Sequence, residues 1–203
     1  MQDEEPIDRM KRRELLLGMN AALVVLGAGS GVTALARTAA PSAGPAAAKG
    51  PHVVREIENT WIVMPDGVKL AARLWVPVGA ERHPVPAIFN YCPYFARLFT
   101  RPDDDARFPY YASHGYACVR VDIRGSGDSE GLPMDEYVQQ EQDDGVEIIR
   151  WIASQPWCSG SVGMEGISWS GFNSLQVAAR RPPALKAIIT HCSTDDRYAD
   201  DAH

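Results

Sequence analysis

Four cysteines in 203 residues (Cys92, Cys118, Cys158 and Cys192) are too few and too scattered for a disulfide scaffold or a Cys-x-x-Cys metal site. Positive charge is also in short supply. Twenty Lys and Arg against 26 Asp and Glu leave a net charge of −6 and no basic stripe, which argues against nucleic acid as a partner. No internal repeat is visible, and no shift in composition marks a second folded domain. A dinucleotide fingerprint is missing as well. The run VVLGAGSG (24–31) has the right flavour, but Gly-x-Gly-x-x-Gly needs glycine where Val32 stands. No carboxylate follows about 20 residues on, where a ribose partner belongs. What remains is 45% hydrophobic and 23% charged residues, with 17 Gly and 15 Pro, the proportions of a soluble globular protein.

The first 48 residues read as an address. Lys11-Arg12-Arg13 precedes an uncharged stretch from Leu15 to Ala36, and Arg37 then opens a small-residue, Pro-rich segment. Basic, apolar and Ala-x-Ala regions in that order predict an export signal. The pair Arg12-Arg13 followed by Leu15-Leu16 resembles a twin-arginine signal. A membrane anchor is the alternative, since 22 uncharged residues can span a bilayer. Gly18, Asn20, Gly27, Gly29, Ser30 and Gly31 keep the stretch only mildly apolar, which favours a cleaved signal. Residues 1–48 are therefore expected to be signal peptide and linker, cut after Ala36, Ala43 or Ala48. Residues 49–203 would be periplasmic or extracellular and off the membrane, in a compartment that permits disulfides. Cys118 lies in an apolar run and reads as a buried thiol; pairing of the other three is left open.

In the remainder, HVVREIENTWIVM and VKLAARLWVP flank Pro65-Asp66-Gly67 and predict an antiparallel hairpin. VPAIFNYC and YACVRVD are short apolar runs of the kind that buried central strands show. A short helix is expected over 107–114. From Tyr137 to Gln155, apolar residues recur at Val146, Ile149 and Ile152, beside Ile148 and Trp151. That spacing predicts an amphipathic helix with Glu141, Asp143 and Asp144 near its start, where the helix dipole favours carboxylates. SVGMEGI then reads as a strand, Trp169 to Arg180 as a helix and LKAIITHC as a sixth strand. A hairpin followed by alternating strands and helices implies an α/β fold, a mostly parallel sheet with helices on both faces.

The strongest chemical signal is the junction GISWSG (166–171). A strand ends, Ser168 follows, and a helix begins at once. This layout lifts a hydroxyl off the end of a sheet, with small neighbours keeping the turn free of clashes. The unpaired N–H groups of the new helix face the place where an oxyanion would develop. Ser170 stands where the strict Gly-x-Ser-x-Gly pattern has its second glycine. The plain alternative is a serine that caps the helix.

GISWSG is similar to the Gly-x-Ser-[Tyr/Trp]-x-Gly elbow of the cocaine-esterase / Xaa-Pro dipeptidyl-peptidase (CocE/NonD) group of α/β-hydrolases. Three further segments resemble that family in order and spacing: NYCPYFAR (90–97), VDIRGSGDSEG (121–131) and QPWCSGSVGMEG (155–166). The resemblance implies an α/β-hydrolase fold and a serine hydrolase that cleaves esters or amides, X-Pro dipeptide bonds among them. It implies Ser168 as nucleophile, the backbone N–H of Trp169 as one oxyanion donor and the Tyr94 phenol as the other. The expected partner is a small ester, amide or peptide, with no cofactor, no metal and no nucleic acid; the oligomeric state is open. Asp122, Arg124, Gly125, Gly127 and Gly131 are expected to shape a loop, with the Asp122 carboxylate and Arg124 guanidinium tying it together. Asp195, Asp196, Asp200 and Asp201 read as a solvated or salt-bridged loop, or else as a site for a substrate's amino group.

A serine nucleophile needs a base and an acid to orient it, in this fold in the order Ser, Asp or Glu, His. None of His52, His83, His114, His191 and His203 stands in the family's position for that base. Residues 49–203 are therefore expected to be the N-terminal part of the catalytic domain, cut after about the sixth strand and inactive alone. The alternative is an inactive remnant or binding scaffold of the same fold.

Overall fold

The computed structural model describes residues 51–94 and 100–201. The signal and linker expected over 1–48 lie outside them. Strand β1 (Val54–Val63) turns through Pro65-Asp66-Gly67 into β2 (Lys69–Pro77), and the two pair antiparallel, as the hairpin signal predicts. β3 (Val85–Cys92) precedes helix α1 (Arg101–Ser113) and β4 (Ala117–Asp122). Helix α2 (Gln139–Ala153), β5 (Cys158–Ile167), helix α3 (Trp169–Ala179), β6 (Leu185–His191) and the short helix α4 (Arg197–Asp201) complete the order.

The sheet runs β1-β2-β4-β3-β5-β6. β2 meets β4 antiparallel, while β4, β3, β5 and β6 are mutually parallel neighbours. Every residue of β4 is buried, which is what a central strand covered on both faces demands. Alternate residues divide between two cores. Leu74, Phe89, Val119 and Met164 face a large core that Ile148, Ile149 and Ile152 of α2 and Val177 of α3 close. Trp75 and Cys118 point the other way and meet Phe108 and Ala112 of α1, with the Trp75 and Phe108 rings 4.9 Å apart. Helices thus cover both faces. Among the described residues β6 is the last strand of the sheet on that side, and Ile189 on it is exposed.

Two expectations need correction. Helix α1 begins at Arg101, six residues before the Arg107 start read from the sequence. Pro102 sits in its first turn, where a missing N–H costs nothing, and Asp103 and Asp104 meet the dipole there. The acidic segment near residue 200 is only half a loop: Asp195 and Asp196 precede α4, while Asp200 and Asp201 lie within it. Asp196 caps it through the Ala199 N–H at 3.0 Å, and Arg197 bridges to Glu136 at 3.4 Å. All four cysteines are free; Cys92, Cys118 and Cys158 are buried and Cys192 is exposed.

Candidate active site

β5 delivers its last residue, Ile167, to the carboxyl end of the sheet, and α3 starts two residues later. The single residue between them, Ser168, has φ 55° and ψ −120°. A side chain in that region is strained by about 1–3 kcal/mol, and only surrounding structure holds it there. Two backbone bonds do so: the Ser168 N–H donates to the His191 carbonyl at 2.8 Å, and the Ser168 carbonyl accepts the Phe172 N–H at 2.9 Å. The Ser168 hydroxyl makes no capping bond to α3.

Small neighbours permit the turn. A Cβ on Gly166 would lie 2.2 Å from the Ser170 carbonyl carbon, and one on Gly171 would lie 2.5 Å from the Ser193 hydroxyl. The steric need for glycine thus falls on 166 and 171. Ser170 is buried and fits because its hydroxyl donates to the Ile167 carbonyl and accepts the Ile167 N–H, both at 3.0 Å.

β3 is the neighbour of β5, so their carboxyl ends lie side by side, where ligands of open α/β sheets bind. Tyr94 lies two residues past the end of β3. Its hydroxyl donates to Ser168 Oγ at 3.3 Å, and the Trp169 N–H donates to the same tyrosine oxygen at 3.4 Å. The three groups singled out from the sequence are thereby brought to one point.

A fourth group, Glu141 of α2, was read from the sequence only as an acid near a helix start. Its carboxylate accepts the Trp169 indole N–H at 2.7 Å and the Tyr137 backbone N–H at 3.0 Å. Burial raises the Glu141 carboxyl above its ordinary range, against the bond from Trp169, which lowers it. The Tyr137 ring packs on Trp169 at 5.2 Å and on Phe172 at 5.3 Å, and burial pushes its phenol up to about 12.

The loop after β4 is tied differently from the expectation. Arg124 turns away from Asp122: its Nε and Nη2 grip Asp144 of α2 at 2.7 and 2.8 Å, and Nη1 reaches Asp66 in the β1–β2 turn at 2.7 Å. Asp122 accepts the Asp128 N–H at 3.2 Å and packs against Gly127, where a Cβ would come within 2.1 Å of Oδ2. Among the described residues no histidine ring hydrogen-bonds the Ser168 hydroxyl. His191 meets the serine through its carbonyl, and the His114 ring bonds the Tyr110 carbonyl at 2.7 Å. In the acidic segment, Asp200 accepts the Thr194 hydroxyl.

The model of the X-Pro dipeptidyl-peptidase (S15) family matches residues 66–203. A protein of Mycobacterium tuberculosis (strain CDC 1551 / Oshkosh) named as a serine esterase is 34% identical over 158 residues, or 70% of this chain and 25% of that protein. The cocaine esterase of Rhodococcus sp. (strain MB1 Bresler) is 34% identical over 143 residues, or 69% of this chain and 24% of that one. The chain spans about a quarter of the length of these curated relatives. Among solved structures, a CocE/NonD family hydrolase from Staphylococcus aureus shares the fold with a TM-score of 0.58 at 23% identity, covering 66% of this chain and 27% of that one. An α-amino acid ester hydrolase gives 0.52 at 27% identity, covering 75% and 28%.

Proposed function

The chain belongs to the X-Pro dipeptidyl-peptidase (S15) family, and from that premise we propose that it carries the nucleophile and oxyanion hole of a serine hydrolase. The substrates are esters or amides, X-Pro dipeptide bonds among them. Ser168 Oγ attacks the carbonyl carbon and gives its proton to a general base. The carbonyl oxygen takes the electron pair, and the Tyr94 O–H and Trp169 N–H donate to it. Collapse expels the alcohol or amine, which leaves with the proton, and water then releases the acyl group from Ser168. No step calls on a metal or cofactor. The base and its acid are assigned to residues outside this 203-residue stretch, in the order Ser, acid, His. Export through residues 1–48 is part of the same reading.

One observation carries it: past the end of β3 the Tyr94 hydroxyl reaches the hydroxyl of a serine held at positive φ, and at the start of α3 the Trp169 N–H reaches that same tyrosine oxygen. The 3.3 and 3.4 Å separations are long for finished hydrogen bonds, but such bonds are often long before a substrate arrives and tighten in the transition state. A fluorophosphonate probe on the full-length protein tests the reading. One label per chain on Ser168, blocked by an ester or X-Pro amide substrate, is expected. Turnover of such substrates with Ser168 unlabelled would overturn it, and neither label nor turnover would leave a binding scaffold.

Tyr94→Phe isolates one donor. The ring stays and the hydroxyl goes, so kcat should fall about 10²- to 10³-fold, the usual effect of losing one oxyanion donor. Steady-state kinetics on an ester substrate would measure it; a kcat within threefold of wild type would remove Tyr94 from the oxyanion hole.

A further inference from the structure

A carboxylate is costly to bury, and Glu141 is only 4% exposed. Among the described residues it has no salt-bridge partner, and Glu136 nearby repels its charge. Closing the start of α2 would need only its bond to the Tyr137 N–H, which a solvent-exposed glutamate at the same helix position can supply. The bonds that require burial are those to α3: one to the Asn173 side chain, and a stronger one that reaches 28 positions along the chain to the indole of Trp169 at 2.7 Å. Trp169 is the residue after Ser168 and the first of α3. Its ring is held at the N–H edge by Glu141 and packed by the Tyr137 ring, tilted at 46° with centroids 5.2 Å apart. A ring clamped on two sides restrains its own Cα, and with it the orientation of the Ser168–Trp169 peptide plane.

We propose that Glu141 is a positioning residue, which acts through the Trp169 indole to hold the Ser168–Trp169 peptide N–H in line for the oxyanion. The proposal rests on the hydrolase reading above, since it needs that N–H to be a donor in the transition state. A group that only capped α2 would affect stability and leave the kcat of the folded protein alone. A positioning group affects kcat, because a misplacement of about 1 Å in a catalytic donor costs up to 10²-fold.

The test uses the full-length protein at a temperature where each variant is folded by circular dichroism. Ser168→Ala comes first: if it keeps turnover, the hydrolase reading falls and the proposal with it. With that variant inactive, Glu141→Ala and Trp169→Phe should each lower kcat about 10- to 100-fold, with KM within about threefold of wild type. The double variant should be no slower than the slower single one, since both remove the same link. Glu141→Gln keeps an oxygen for the indole N–H and should recover kcat to within about fivefold. Wild-type kcat in Glu141→Ala, or single losses that multiply in the double variant, would overturn the proposal while the hydrolase reading stands. Should Glu141→Ala not fold, Trp169→Phe decides by itself, because it breaks the same bond from the other side; unchanged kcat there would also overturn it.

Discussion

Replacing Ser168 with alanine should lower turnover of every ester or amide substrate of the full-length protein by about 10⁵-fold or more while leaving it folded. A loss of that size is about 7 kcal/mol of transition-state stabilisation. The stability cost is small for two reasons. Among the described residues Ser168 Oγ has one hydrogen bond, 3.3 Å long, to a half-buried tyrosine, so its loss is worth about 1 kcal/mol at most. The strain at φ 55° comes from the Cβ, which alanine keeps, and the two backbone bonds that fix the turn do not involve the hydroxyl. Ser168→Gly separates the terms further. It should be as inactive as alanine yet about 1 kcal/mol more stable, because glycine takes positive φ freely. Kinetics on ester and X-Pro amide substrates and thermal denaturation of the three proteins check this. An alanine variant within tenfold of wild type would remove Ser168 from the chemistry.

The strands were legible because a largely buried strand leaves a mostly apolar run: VPAIFNYC is β3 to the residue. Periodicity shows which residues face inward, but not which strand lies beside which. The crossing that puts β4 between β2 and β3 is therefore a tertiary fact. Helix α1 was misplaced for a related reason. Its buried residues are Phe108, Ala112 and the charged Asp104, so its first turn carries no apolar period. The elbow was readable because backbone sterics at Gly166 and Gly171 write themselves into composition. Polar partners were not. Arg124 has a carboxylate two residues away and bonds one 20 positions distant, and Glu141 serves a ring 28 positions distant. Nearness in sequence decides such pairs only when the chain between them has no reason to fold back, and here helix α2 brings both Glu141 and Asp144 across.

Asp104→Ala should destabilise the protein by about 3–5 kcal/mol, the largest stability effect expected of a single substitution away from the elbow. Asp104 and Arg120 are both 1% exposed and face each other at 3.2 Å between α1 and the central strand β4. The carboxylate also accepts the Thr100 hydroxyl at 2.9 Å and meets Arg107 at 3.5 Å. Among the described residues, alanine leaves the buried Arg120 guanidinium bonded to neutral groups, the Thr100 hydroxyl at 3.1 Å, the Val121 carbonyl at 3.4 Å and the Cys92 thiol, with Glu165 as the nearby negative charge. An unpaired charge in that position, rather than the lost attraction, makes the single change severe. Removing both charges as Asp104→Leu with Arg120→Met should therefore restore most of the loss, since a buried pair is worth little against apolar side chains of similar size. The pair also bears on the site. α1 begins seven residues after Tyr94, and Asp104 is what fastens that end of the helix to β4. The alanine variant should consequently lose activity on warming well before wild type, and the double variant should keep it. Denaturant titration of the three proteins, with residual activity followed at each temperature, measures both effects. An alanine variant as stable as wild type would mean that Arg120 keeps its charge compensated without Asp104.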